Sequence, residues 1–199
     1  MLDLVIATRN SHKARELRSL LRVRGVRWRT LEDVPHMGEV RETGRTFEVN
    51  ASRKARAVAR ATGLMALADD SGLEVEVLRG APGVRSARFA GRHGNDAANN
   101  RKLLRLLAGR AGAARRARYV CVLALADPFG RVTITRGTWT GRIALRPRGA
   151  NGFGYDPIFE LPRRRKTVGQ LPARTKQRLS HRAAAARRMR QVLKRLIQK

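Results

Sequence analysis

Several things are scarce in this 199-residue chain. It holds one cysteine, Cys121, which excludes an internal disulfide and any multi-cysteine zinc site. Cys121 lies in an apolar run and reads as a packing residue. No apolar stretch approaches the ~18 residues of a membrane span. The opening MLDLVIATRN lacks a basic n-region and is not expected to be a signal peptide. A cytoplasmic protein is the default expectation. Acidic residues are also few: 15 Asp and Glu stand against 44 Lys and Arg, a net charge of +29. Such an excess attracts polyanions and makes nucleic-acid binding a rival reading. The basic residues are spread along the whole chain rather than gathered in a tail, which favours a solvated basic surface. Hydrophobic residues reach 42%, enough for a single domain over 1–199, or two tightly joined lobes, with a real core.

The most informative stretch is LMALADDSGLEV, residues 64–75. An apolar run reads as a short buried strand; Asp69, Asp70, Ser71 and Gly72 follow, and Leu73 to Val77 alternate like a second strand. Two carboxylates at a strand end are costly unless a divalent metal or an Arg/Lys cluster meets them. Neighbouring strand residues face opposite ways, so the two carboxylates have different jobs. A plain Asp-rich turn at Gly72 is the alternative.

Other segments frame this stretch. Leu2–Ala7 reads as a buried strand, followed at once by a helix with Asn10 or Ser11 as cap and Leu17, Leu20 and Leu21 on its apolar stripe. Strand, polar turn and helix N-terminus make a common phosphate-binding geometry, and Lys13 in the first turn makes sense if it meets an anion; on the residues alone an ordinary turn with an exposed Lys13 is the better reading. Val26, Trp28 and Thr30 alternate as a half-exposed strand. A loop over roughly 32–45 leads to a helix from about Thr46 to Thr62. A third helix is expected over Asn95–Leu107, then a central strand over Arg118–Ala126, a turn at Asp127–Gly130, and further sheet through Leu145. In GANGFGYDPIFELP, glycines let backbone approach a flat ligand, and Phe153 or Tyr155 can stack on a base. Asp156 can accept from ring N–H donors. A basic loop is expected over Arg163–Thr175, and Ser180 can cap a last helix whose first turn holds His181 and Arg182.

These segments resemble, in order, the signatures of the inosine-triphosphate pyrophosphatase family, the Ham1-like nucleotide pyrophosphatases. The matching pieces are Ala7-Thr8-x-Asn10-x-x-Lys13-x-x-Glu16-Leu17, Glu42-Thr43-Gly44-x-Thr46-Phe47-x-x-Asn50-Ala51, Ala68–Leu73 with Gly80–Gly91, Gly152–Pro157, and Lys176-x-x-x-Ser180-His181-Arg182. The resemblance implies an α/β fold: a long, mixed, twisted sheet flanked by helices, in two lobes with the active site in the cleft. It implies hydrolysis of ITP, dITP and XTP to the monophosphate and pyrophosphate, with Mg²⁺, by a homodimer. By the same resemblance Glu42 and Asp70 hold the metal, Asp70 is the base, and Asp69 and Lys13 complete the catalytic set. Thr8, Arg9, Asn10, Ser11, His12, Lys13, Ser71 and Lys176 bind phosphates or sugar, and Phe153, Gly154, Tyr155, Asp156, His181 and Arg182 read the base. Two positions depart from the pattern: Arg9 stands where many members have Gly, and Val49 stands where the family has Glu, with Glu48 one step earlier. The shift to 48 turns a carboxylate by about 100° on a helix. A nucleotide-binding homologue with reduced turnover is therefore a further reading.

Overall fold

The computed structural model describes residues 1–34, 38 and 40–198; part of the expected 32–45 loop lies outside them. The chain divides into two compact units, one made of residues 1–70, 121–137 and 181–199, the other of 71–120 and 138–180. A seven-stranded mixed sheet with flanking helices runs through the chain in the order β2-β1-β3-β4-β5-β6-β7. The strands are β1 (Leu2–Ile6), β2 (Val26–Thr30), β3 (Met65–Val75), β4 (Arg116–Ala126), β5 (Val132–Ile143), β6 (Phe159–Leu161) and β7 (Lys166–Thr167). Strand β1 pairs in parallel with β2 and β3, while β6 pairs antiparallel with β5 and β7.

In the first unit, β1 is buried and feeds α1 (Ser11–Leu20). Asn10 is the cap: its side chain accepts from the Lys13 N–H at 3.0 Å. The second helix, α2 (Phe47–Thr62), is capped by Thr46 and ends on Gly63 in the left-handed region. The last helix, α5 (His181–Ile197), packs Ala185, Ala186, Met189 and Leu193 with Leu4, Ile6, Leu17, Leu21, Leu67 and Leu123 in one core. Gly137 on β5 permits a close approach to the start of α5. A Cβ there would stand 2.1 Å from the carbonyl oxygen of His181 and 2.4 Å from the amide nitrogen of Ala185.

The second unit has its own core of Leu73, Val75, Leu103, Leu107, Tyr119, Ile143, Ile158 and Phe159, with Leu103 on α3 (Asp96–Leu106) and Leu107 at its C-cap. Arg115 is buried here and donates to the carbonyls of Ile143, Leu107 and Ala144 at 2.6–2.7 Å. The expected basic loop over 163–175 instead folds into short 3₁₀ turns, β7 and the start of a helix, α4 (Ala173–Leu179). Ser180 is the C-cap of α4 immediately before α5.

The expected turn at Gly72 is corrected. Strand β3 runs unbroken through Asp69, Asp70, Ser71 and Gly72. Gly72 is not in the left-handed region that a reversal would use. The acidic pair therefore lies within a buried strand, not in a solvated turn.

Candidate functional site

Asp69 and Asp70 are adjacent and almost fully buried, at 0% and 4% exposure, yet their surroundings differ. Asp69 turns toward α1 and α5. Its Oδ1 meets Lys13 Nζ at 2.6 Å, and its Oδ2 accepts from Arg182 Nε and the Cys121 thiol, each at 3.1 Å. Arg182 is itself 1% exposed and also pairs with Glu16. Glu16, Arg182, Asp69 and Lys13 thus form a chain of alternating charge. Burial pushes the Asp69 carboxyl up, but Arg182 and then Lys13 pull it further the other way and hold it well below the usual carboxylate range. Burial and Asp69 push the Cys121 thiol up, so Cys121 acts as a packed donor.

Asp70 has the opposite balance. Burial dominates and raises its carboxyl to about 6, against the pull of Lys54 and Lys13 and with a further push from Glu42. Asn50 on α2 hydrogen-bonds its side chain. Lys54 bridges this corner, donating to Glu42 Oε1 and to the Asp69 carbonyl, each at 2.6 Å. Asn50 also accepts from Gly44 N–H at 2.8 Å, tying the Glu42–Gly44 segment to α2. One carboxylate is thus held ionised, and its neighbour is raised to about 6. Such a pair can supply one fixed anion and one proton acceptor.

Around them, Thr8 is half-buried and its hydroxyl accepts from Asn10 N–H at 3.2 Å, while Arg9, Asn10, Ser11 and His12 are exposed at the start of α1. Ser71 follows on β3, half-buried. His181 is buried in the first turn of α5. Val49 is 45% exposed and lies against Gly44; Glu48 is occupied by Arg136 at 2.7 Å.

The second unit holds the other group of expected residues. Lys176 Nζ is 2.6 Å from Asp156 Oδ2 and 4.1 Å from the centroid of the Phe153 ring. Asp156 also accepts from Phe153 N–H at 3.0 Å and Tyr119 O–H at 3.1 Å. Gly152, at φ +84°, is required because a Cβ would stand 2.0 Å from Asp156 Oδ2. Gly154 donates to Asp96 Oδ2 at 2.6 Å and accepts from Asn100 at 3.0 Å, which pins the loop on α3.

Three expectations change. The Tyr155 side chain is not an open stacking face: it is 4% exposed, belongs to the core, and donates to the Ser86 carbonyl at 2.9 Å. Asp156 is a buried brace for its own loop, not an exposed acceptor. Arg182 likewise stands beneath Asp69, where its observed ion pairs are with carboxylates. The residue missed in the sequence is Lys54. Its signal was present: it interrupts the apolar stripe of α2 one turn after Asn50, and a lysine on a buried face needs a partner.

The fold is a mixed-sheet α/β one, and its buried strand sets a carboxylate held ionised beside one raised to about 6, with Lys13 and Lys54 close by. More particularly, the profile of the Ham1 family matches residues 4–192, and the chain belongs to that family. It is 46% identical over 195 residues to a dITP/XTP pyrophosphatase of Desulforamulus reducens, covering 98% of this chain and 97% of that one. It is 44% identical over 199 residues to a dITP/XTP pyrophosphatase of Listeria innocua, covering 100% and 98%. A HAM1 protein from Coxiella burnetii superposes with a TM-score of 0.91 at 41% identity, covering 98% and 100% of the two chains. The nucleoside-triphosphatase / dITP/XTP pyrophosphatase of Mycobacterium abscessus does so at 0.80 and 44%, covering 94% and 98%.

Proposed function

We propose that this chain is a dITP/XTP pyrophosphatase, hydrolysing ITP, dITP and XTP to the monophosphate and pyrophosphate. The observation that carries the reading is the contrast between Asp69, held ionised, and Asp70, poised at about 6, inside a Ham1-family fold. Hydrolysis of the α–β phosphoanhydride adds water across the bond. One oxygen joins phosphorus, pyrophosphate leaves, and a proton must be accepted. Asp70 takes that proton. Lys13 and Lys54 stand beside it with positive charge for the phosphate oxygens. Asp69, clamped by Arg182, fixes where Lys13 points. The start of α1, with Thr8, Asn10, Ser11 and His12, supplies further anion contacts.

The donor set suits Mg²⁺. Among the described residues no cluster of three or more Asp, Glu, His or Cys is placed to hold a metal. Glu42 and Asp70 are close enough for Glu42 to raise Asp70, a repulsion that a hard dication would reverse. Mg²⁺ accepts such a pair, taking one or two protein carboxylates and completing its shell with water and phosphate oxygens. When bound, it neutralises charge on the polyphosphate. Two carboxylates meet that need, so Val49 does not disqualify the site.

Phe153, with its ring over Lys176, and the backbone of the 152–156 loop are assigned to the base. Donors facing a 6-oxo group accept hypoxanthine and xanthine, and reject adenine by setting donor against donor. A homodimer working in the cytoplasm, where the nucleotide pool lies, completes the proposal. The test is product analysis: XTP incubated with the protein should yield XMP and pyrophosphate in equal amounts. XDP and orthophosphate would overturn the reading.

A further inference from the structure

Helix α1 has two charged faces with different fates. At 3.6 residues per turn, Lys13, Glu16 and Leu17 share the side that meets Asp69, Arg182 and the core. Arg15, Arg18 and Ser19 fall about half a turn away, and Arg22 follows just past the helix end at Leu20. With Trp28 of β2 they line a concavity of about 550 Å³. None of the three arginines forms an ion pair with a described residue. Asp33 feels Arg18, but its carboxylate is engaged by Thr30 N–H at 2.6 Å. The Trp28 indole Nε1 is buried with no acceptor among the described residues. The acidic residues nearest this face, Asp3 and Asp33, are already engaged, by Arg27 and by Thr30. Helix α5, which packs in the core with α1, carries Arg187, Arg188, Arg190, Lys194 and Arg195, and no acidic residue follows Glu160.

We propose that the α1–β2 face is a docking surface for a nucleic-acid strand. Arg15, Arg18 and Arg22 meet its phosphates, and Trp28 forms the aromatic wall of the groove. Arg15 and Arg18 stand about 4.5 Å apart along α1, and Arg22 continues the row past the end of the helix at Leu20. Three guanidiniums lining one concavity, none ion-paired with a described residue, suit repeated phosphates better than one small anion. A membrane surface would also attract this charge, but it needs apolar anchors. The leucines of α1 are turned into the core: Leu17 and Leu21 are buried. The surface is separate from the proposed nucleotide site, because it lies on the opposite side of α1 from Lys13.

The test uses the full chain and a labelled single-stranded oligonucleotide of about 20 nucleotides, followed by anisotropy from low to moderate salt. The native protein should bind at low salt. The Arg15→Gln/Arg18→Gln/Arg22→Gln variant should bind at least about tenfold more weakly. Its log K against log salt slope should be shallower by about 2, from three contacts at about 0.7 each. Its thermal melt and XTP hydrolysis should be unchanged. Oligonucleotide should quench tryptophan emission, and Trp28→Phe should remove most of that quench. No binding by the native protein, an unchanged affinity and slope in the triple variant, stronger binding to anionic vesicles than to oligonucleotide, or equal competition by inorganic phosphate would each overturn the proposal.

Discussion

Replacing Asp70 by Asn should destroy hydrolysis and at the same time stabilise the metal-free protein. Burial raises the Asp70 carboxyl from 3.8 to about 6. The native state therefore keeps a proton that the unfolded chain has already lost. As pH rises from about 4 through 6, that difference costs the fold about 2 pKa units, or about 3 kcal/mol. The cost is small at pH 4, where both states are largely protonated, and complete by pH 8. Asn has nearly the same shape and no charge to desolvate, and it keeps a hydrogen-bonding oxygen for Asn50. Its advantage over the native residue should be under about 1 kcal/mol at pH 4 and about 3 kcal/mol at pH 8. For a domain of this size that is a rise in Tm on the order of 5–10 °C at pH 8. Thermal melts of both proteins in EDTA at the two pH values measure it. An Asp70→Asn protein no more stable than the native one at pH 8, or equally stabilised at both pH values, would refute the argument that desolvation sets this carboxyl.

Removing Arg182 should do the reverse. Arg182→Ala leaves buried Asp69 without its guanidinium, and unfolding by urea should show a loss of about 3–5 kcal/mol. Gly137→Ala should cost about 1–3 kcal/mol and lower kcat, because the new methyl drives into the first turn of α5 that carries Arg182; a fully active, equally stable variant would contradict the close packing. Lys54→Met should lower kcat/KM for XTP by at least about tenfold and move the acidic limb of the pH–rate profile upward, since Lys54 pulls the Asp70 carboxyl down. Val49→Glu, placed against the Gly44 backbone close to Glu42, should lower the Mg²⁺ concentration needed for half-maximal rate several-fold; an unchanged Mg²⁺ dependence would mean that position 49 does not face the metal.

The strands and helices were readable where one pattern dominated. The buried strand β1, the Asn10 cap and the helix ending at Thr62 follow from apolar spacing and capping chemistry alone. The acidic pair was recognisable as expensive, but its cost is met by residues far along the chain. Glu16, Arg182 and Cys121 come from three other elements, and no local pattern announces that they converge. Gly72 misled because a glycine after two Asp is good turn chemistry, whereas sheet pairing keeps β3 extended through it. Tyr155 and Asp156 were visible as a motif, but whether a motif side chain faces a ligand or braces its own loop depends on packing from Tyr119, Ser86 and Lys176. The helix at 173–179 was hidden by a basic, proline-flanked stretch with no apolar stripe.

The most direct measurement is the initial rate of pyrophosphate release from ITP, XTP, ATP and GTP, each with Mg²⁺ and with EDTA. Rapid release from ITP and XTP with Mg²⁺, little from ATP and GTP, and none in EDTA is the predicted result. Comparable release from ATP, or none from any of the four, would contradict the account.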